Sequence, residues 1–249
     1  MLRSLIRALP VTLALAGPAA ALDLEAMTDA ERDAFGNQVR AYLLENPEVL
    51  MEAIAVLDQR QAEAAAQGDS AMIASHAEAL FENEGDWVGG NPDGDITVVE
   101  FMDYKCGYCR RAFPEVEELV ESDGNIRYIL KEFPILGEQS LMASQFALAM
   151  RELEGDEAYK QAHNALMTMR ADVSEDSLEA LAESLDVDFE AVQAEMDSPR
   201  VAGIIAENHR LAQAMQVSGT PSFVMGDQML RGYVPLAQMQ EMVAAQRAE

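Results

Sequence analysis

The stretch Ile96-Thr97-Val98-Val99-Glu100-Phe101-Met102, followed after Asp103-Tyr104-Lys105 by Cys106-Gly107-Tyr108-Cys109, decides the fold. Its apolar, β-branched run reads as a buried strand. Beyond the cysteines, Ala112, Phe113, Val116, Leu119 and Val120 keep the spacing of one helical face, and Asp123-Gly124-Asn125 supplies a stop. Residues 126–133 then read as a second strand. Strand, CxxC, helix, strand is a βαβ unit with the cysteine pair at its first turn.

Working outward, residues 137–216 read as helical throughout, in pieces near 140–153, 156–169, 174–185, 189–196 and 198–215, punctuated by Gly155 and Pro199. Gly219-Thr220-Pro221 leads into two short strands around Gly226-Asp227, a pair suited to a tight two-residue hairpin turn. A last helix covers about 235–245. Upstream, Gly89-Gly90-Asn91-Pro92-Asp93-Gly94 is a turn-rich boundary. Residues 22–85 before it read as wholly helical. Thr28 and Glu31 have capping-box spacing, Asn46-Pro47 is a helix start, and a third helix covers about 71–83. Val49, Leu50, Ala53, Ile54 and Leu57 form one apolar face. So short a helical region buries little by itself. Its face meets either the main domain, as a cap, or a second copy of the chain, as an oligomerisation arm.

Among 249 residues the formal net charge is −27, with only 17 Lys and Arg. Such a surface repels nucleic acid and anionic lipid, and neither is expected as a partner. Arg3 and Arg7, the apolar residues 8–17 and Ala19-Ala20-Ala21 have the layout of a secretory signal, cleaved after about Ala21. Export, with a periplasmic location, places the cysteines in an oxidising compartment. There are two in the chain, three positions apart. The loop they would close is too small for much entropic stabilisation, so chemistry explains them better.

A CxxC opening a helix puts its first sulfur where free N–H groups and the helix dipole favour negative charge. The thiol is then more acidic than the free value of ~8.5 and attacks as thiolate. Cys106 is therefore the expected nucleophile, and Cys109, one turn on, the residue that resolves a mixed disulfide. His76, His163 and His209 lack the spacing that would complete a zinc site with the cysteines. The two thiols could hold Cu(I), a soft ion. No cofactor is expected. Met102, Met225 and Met229 are candidates for lining a substrate groove; the other methionines read as core.

The chain resembles the thioredoxin-fold oxidoreductases. Glu100 lies six residues before Cys106, Pro114 eight after it, and Thr220-Pro221 precedes the last hairpin, where that superfamily carries a cis-proline facing the disulfide. The long helical insertion resembles the DsbA branch. Thr28, Glu31 and the run Val39-Arg40-Ala41-Tyr42-Leu43-Leu44-Glu45-Asn46-Pro47-Glu48-Val49 are similar to the start of the suppressor-of-copper-sensitivity C group, some members of which trimerise through this region. The resemblance implies an α/β thioredoxin fold with a helical insertion at about 137–216, in a domain spanning 86–249. It implies proton relay by Glu100 to Cys109, with an ion pair to Lys131 as the structural alternative. Lys131 is also a candidate for tuning the site. Thr220 and cis-Pro221 would receive extended substrate chains, and Gly107 and Tyr108 would tune the pair. The implied activity is thiol–disulfide exchange with cysteine-bearing substrate proteins, supported by a membrane redox partner. CGYC and the Thr before Pro221 resemble the isomerase group more than the oxidases. Isomerase or reductase work is thus favoured over DsbA-type oxidation, and Cu(I) binding by the same dithiol is a further alternative.

Overall fold

The computed structural model describes residues 26–248. The proposed signal, residues 1–21, lies outside them. The chain divides into two compact units between Gln59 and Arg60, earlier than the boundary between residues 22–85 and 86–249 read from the sequence.

In the first unit, α1 (Asp29–Glu45) starts at Thr28, whose side chain accepts from the Glu31 amide while the Glu31 carboxylate accepts from the Thr28 amide at 2.9 Å. This reciprocal cap satisfies two amides that the first turn leaves unpaired. No residue of α1 is buried. After Asn46-Pro47, α2 (Glu48–Ser75) runs without a break through the position where the chain divides. Tyr42, Leu44, Leu50, Met51, Ile54 and Leu57 are all exposed, between 49% and 68%.

The second unit is built on one five-stranded sheet. Its order is β1 (Trp87–Gly90), β3 (Ile126–Glu132), β2 (Ile96–Met102), β4 (Ser222–Met225), β5 (Gln228–Arg231). β2 and β3 are parallel and joined by α4 (Gly107–Asp123), which Gly124 ends at φ 72. The left-handed conformation there suits a residue with no Cβ. All other pairings are antiparallel. Five helices separate β3 from β4: α5 (Glu138–Glu154), α6 (Asp156–Thr168), α7 (Glu175–Ser184), α8 (Phe189–Met196) and α9 (Pro199–Ala214). They form the expected helical insertion. Gly226, at φ 57, turns the β4–β5 hairpin, and α10 (Leu236–Gln246) packs on α4.

Two features differ from the sequence reading. Trp87–Gly90, whose Gly89-Gly90 read as the start of a turn, is an edge strand: Trp87 to Gly90 pair with Leu130 to Arg127. The third helix of the first region is only α3 (Ala77–Phe81), because α2 continues to Ser75. The alanine- and glutamine-rich stretch between them has high helix propensity and no breaker strong enough to stop it.

The sheet has a core on each face. Val98, Met102, Tyr128 and Leu130 pack with α4, α5 and α6; Val99, Phe101 and Ile129 pack on the other side with Leu80 of α3 and Leu211 of α9. Successive strand residues alternate faces, so each even-numbered residue of β2 shares a face with the even-numbered residues of β3.

Candidate active site

Cys106 is the N-cap of α4 and its backbone is extended (φ −73, ψ 116). The turn before it is held by Asp103, fully buried just after β2. The Asp103 carbonyl accepts from the Cys106 amide at 3.0 Å. One carboxylate oxygen accepts from the Lys105 amide and the Ser140 hydroxyl, both at 2.7 Å; the other accepts from the Ile135 and Leu136 amides at 2.8 and 3.1 Å. One side chain thus pins the segment leading to the cysteines against the start of α5.

Both cysteines are free thiols. Cys109 is wholly buried and Cys106 is 7% exposed. The Thr220–Pro221 peptide is cis, and the Cys106 thiol donates to the Thr220 carbonyl at 3.1 Å. The Pro221 carbonyl accepts from the Gly232 amide at 2.9 Å, which ties this segment to the end of β5. The Cys106 thiol is drawn down to about 5, first by a hydrogen bond from the Cys109 side chain, then by the Thr220 side chain and the Cys109 and Tyr108 amides. These donors outweigh the opposing effect of burial because each prefers the charged sulfur. Burial pushes the Cys109 thiol far up, with its bond to Cys106 and the Glu100 charge acting the same way. One sulfur is poised to be a thiolate and its neighbour to keep its proton.

Glu100 sits on β2 on the face that carries the pair, 2% exposed. Burial raises it to about 8, opposed by a hydrogen bond from the Tyr128 hydroxyl. Gly107 opens α4. Tyr108 is 61% exposed and tilted over Tyr233, with ring centres 6.3 Å apart.

Lys131 is not brought to this site. It is opposite Phe101 in the register, one residue out of step with Glu100, and so points to the other face. There, fully buried, it donates to Asp86 and to the Ala79 carbonyl. The ion-pair alternative for Glu100 is therefore corrected: its partner is Tyr128. Met102 and Met225 are wholly buried and Met229 is 8% exposed, so none of the three lines an open groove; each fills the core beside its strand.

Sequence reasoning did not single out Asp103, Tyr128, or a buried polar cluster behind the cysteine turn. In that cluster Glu132 accepts from Tyr104 (2.8 Å), Tyr159 (2.7 Å) and Ser144 (2.7 Å), and the Tyr104 hydroxyl also meets His163 Nδ1 at 3.1 Å. Tyr128 shares Glu100's face, as Lys131 cannot, but only the register of β2 against β3 reveals it. Among the described residues no group of three or more His, Cys, Asp or Glu could hold a metal ion.

A family model described as the DSBA-like thioredoxin domain matches residues 97–244. The chain belongs to that family. A second model, the copper resistance protein ScsC N-terminal domain, matches residues 31–64. A solved thioredoxin-like oxidoreductase from Silicibacter pomeroyi DSS-3 is 42% identical, with a TM-score of 0.65 over 69% of this chain and 98% of that one. Proteus mirabilis ScsC in a transitional conformation is 29% identical, with a TM-score of 0.65 over 91% of this chain and 99% of that one. Among curated proteins, the Na(+)/H(+) antiporter NhaA 1 of Salinispora arenicola is 32% identical over 148 residues, 59% of this chain. The chain spans only 22% of the length of that relative and of its Salinispora tropica counterpart. In this DsbA-like chain the matched region holds both cysteines, Glu100 and Pro221, while the ScsC-type match ends within α2.

Proposed function

We propose that the protein is a thiol–disulfide oxidoreductase exported to the periplasm, exchanging disulfides with cysteine-bearing substrate proteins. The observation that carries this reading is the contrast within the pair: Cys106 at a helix N-terminus with its thiol drawn down to about 5, beside a buried Cys109 that keeps its proton. Cys106 as thiolate attacks a substrate disulfide and forms a mixed disulfide. Cys109 resolves it, giving its proton to Glu100. The extended backbone at Thr220-Pro221 receives the substrate chain beside Cys106, and Gly107 and Tyr108 tune the pair. Among the described residues no helix is long and apolar enough to cross a membrane. In our reading a membrane redox partner exchanges electrons with the pair.

Isomerase or reductase work is favoured over DsbA-type oxidation. The exposed apolar residues of α1 and the first half of α2 support this, since a helix stabilised by packing needs something to pack on. In our reading residues 22–85 supply an arm through which copies of the chain associate before the DsbA-like domain at 86–249, and an oligomer holds several thiol pairs around one substrate. Light scattering of the mature protein reads its mass, and Ile54→Asp should reduce it to that of one chain.

The test of the activity is recovery of scrambled, disulfide-bonded ribonuclease in a glutathione buffer. Mature protein should restore activity in catalytic amounts, and Cys106→Ser should abolish this. A wild type with no turnover sinks the reading. A second reading, Cu(I) held by the same dithiol, is favoured by the copper-resistance description of the matching N-terminal model. Stoichiometric Cu(I) uptake that survives glutathione competition would support it.

A further inference from the structure

Glu100 is 2% exposed, and its charge acts on the Cys109 thiol. Tyr128 of β3, itself only 3% exposed, donates its hydroxyl to the Glu100 carboxylate. Tyr128 also lines a cleft of about 320 Å³, together with Trp87 of β1, Glu117 of α4 and Lys160 of α6. At its mouth Lys160 and Glu117 form an ion pair at 2.5 Å, each side chain about one quarter exposed, and the Lys160 ammonium lies 5.2 Å from the Trp87 ring centre. The cleft therefore presents two carboxylates, Glu117 and Glu121, and one ammonium, Lys160, beside the tyrosine whose hydroxyl holds Glu100.

We propose that Tyr128 is a positioning residue for Glu100 and that, with the Glu117–Lys160 pair in the cleft behind it, it sets the pH range over which Cys109 resolves mixed disulfides. This deepens the oxidoreductase reading and rests on it. In the step concerned, the Cys109 thiol passes its proton to the Glu100 carboxylate, and the Cys109 sulfur bonds to Cys106. The bond between Cys106 and the substrate sulfur breaks, and the substrate leaves as a thiolate that takes a proton from water. The pair is oxidised by two electrons, the substrate sulfur is reduced, and Glu100 later releases its proton to solvent. The step needs Glu100 ionised, so whatever biases its ionisation moves the pH dependence of resolution.

The groups that bear on Glu100 come from each element packed around it. Cys106, Cys109 and Glu117 of α4 and Tyr128 of β3 interact with Glu100 directly; Tyr159 of α6 acts on Tyr128, Lys160 of α6 pairs with Glu117, Glu121 of α4 lines the same cleft, and the β4 neighbour Phe223 is uncharged. The Tyr128 hydrogen bond favours the carboxylate, whereas the negative charges of Cys106 and Glu117 disfavour it. Lys160 partly offsets Glu117 by pairing with it. The signs are thus opposed. Tyr128→Phe removes a donor to the charged form. Glu117→Gln removes a nearby negative charge and leaves Lys160 unpaired. Lys160→Met leaves Glu117 uncompensated.

The experiment mixes reduced full-length mature protein with excess oxidised glutathione, quenches with acid at intervals, and counts the Cys106–glutathione mixed disulfide and the internal disulfide by mass. The rate at which the mixed disulfide decays, plotted against pH, gives the midpoint of the resolving step. Tyr128→Phe should raise that midpoint by about one pH unit, a tenfold loss of rate below it. Lys160→Met should raise it less, and Glu117→Gln should lower it. The last two lie at a partly exposed cleft mouth, so they report even if the buried Tyr128 variant folds poorly. Midpoints equal to wild type in Glu117→Gln and Lys160→Met, or shifts of the same sign in both, overturn the inference alone. A wild type that forms no mixed disulfide at Cys106 overturns the oxidoreductase reading and, with it, the inference.

Discussion

The Cys106 thiol lies 3.1 Å from the carbonyl oxygen of Thr220, a residue 114 positions further along the chain. The whole helical insertion intervenes between them, yet the antiparallel pairing of β4 with β2 returns the chain to the cysteines. The sulfur thus meets two kinds of partner: a carbonyl that accepts from the thiol, and donors that prefer the thiolate.

The first prediction concerns the source of that thiolate preference. The Cys109 side chain is the largest single cause of the Cys106 shift to about 5. Cys109→Ala should raise the Cys106 midpoint by at least about one unit, read from thiolate ultraviolet absorbance against pH. In wild type, alkylation of Cys106 should be nearly independent of pH above about 6 and should fall off below about 5. An unmoved midpoint in Cys109→Ala would assign the acidity to the helix terminus instead.

Thr220 makes a separable contribution. Thr220→Val keeps the backbone carbonyl and removes the hydroxyl that favours the charged sulfur. The Cys106 midpoint should rise by less than in Cys109→Ala, and the same absorbance titration ranks the two. A larger rise in Thr220→Val than in Cys109→Ala would reverse the order assigned here.

Lys131 supplies a negative control. Its ammonium is buried with Asp86, and burial lowers its pKa while raising that of Asp86 to about 6. Lys131→Met should leave the Cys106 midpoint where it is, because the sheet lies between them. It should still destabilise the fold by about 3–5 kcal/mol at neutral pH, the typical cost of leaving one partner of a buried pair alone. Urea unfolding and thiol titration of one sample check both halves.

Glu132 gives a pH dependence with a definite sign. Burial raises its folded pKa to about 7 from the ordinary 4.5, against three hydrogen bonds that favour the carboxylate. Between those values the folded state binds more protons at this site than the unfolded state does. Its stabilising contribution is therefore complete below about pH 4.5 and is lost as pH rises through about 7, at up to ~1.4 kcal/mol per pH unit. Glu132→Gln should flatten the fall of unfolding free energy between pH 5 and 7 relative to wild type. Parallel curves for the two proteins would contradict it.

The βαβ unit and the CxxC at its turn were legible because the apolar run of β2 and the helical face of α4 carry unambiguous periods. The two-residue hairpin turn was legible because Gly226 answers a local backbone demand. Edge strand β1 was hidden by Gly89-Gly90, which read as a turn; only pairing with β3 makes that stretch a strand. Lys131 was read as an ion-pair alternative for Glu100 from the neighbouring strand, whereas its face is fixed by a register that no single strand reveals. Asp103, Tyr128 and the Glu132 cluster have no local signature, since most of their side-chain partners lie between 27 and 59 positions away, Lys105 beside Asp103 and Ser144 beside Glu132 being the exceptions. Such groups become visible only when the fold brings buried polar atoms into pairs.

The central claim, a redox-active Cys106–Cys109 pair whose thiolate is unusually stable, is tested most directly by equilibrating mature protein in graded glutathione buffers and reading the oxidised fraction by alkylation and mass. A stabilised thiolate favours the reduced form. A single two-electron transition is therefore predicted at a potential well above thioredoxin's value of about −270 mV, towards the −120 mV or so of strong oxidants. A transition at or below thioredoxin's value, or a pair that never closes to an internal disulfide, would contradict the account.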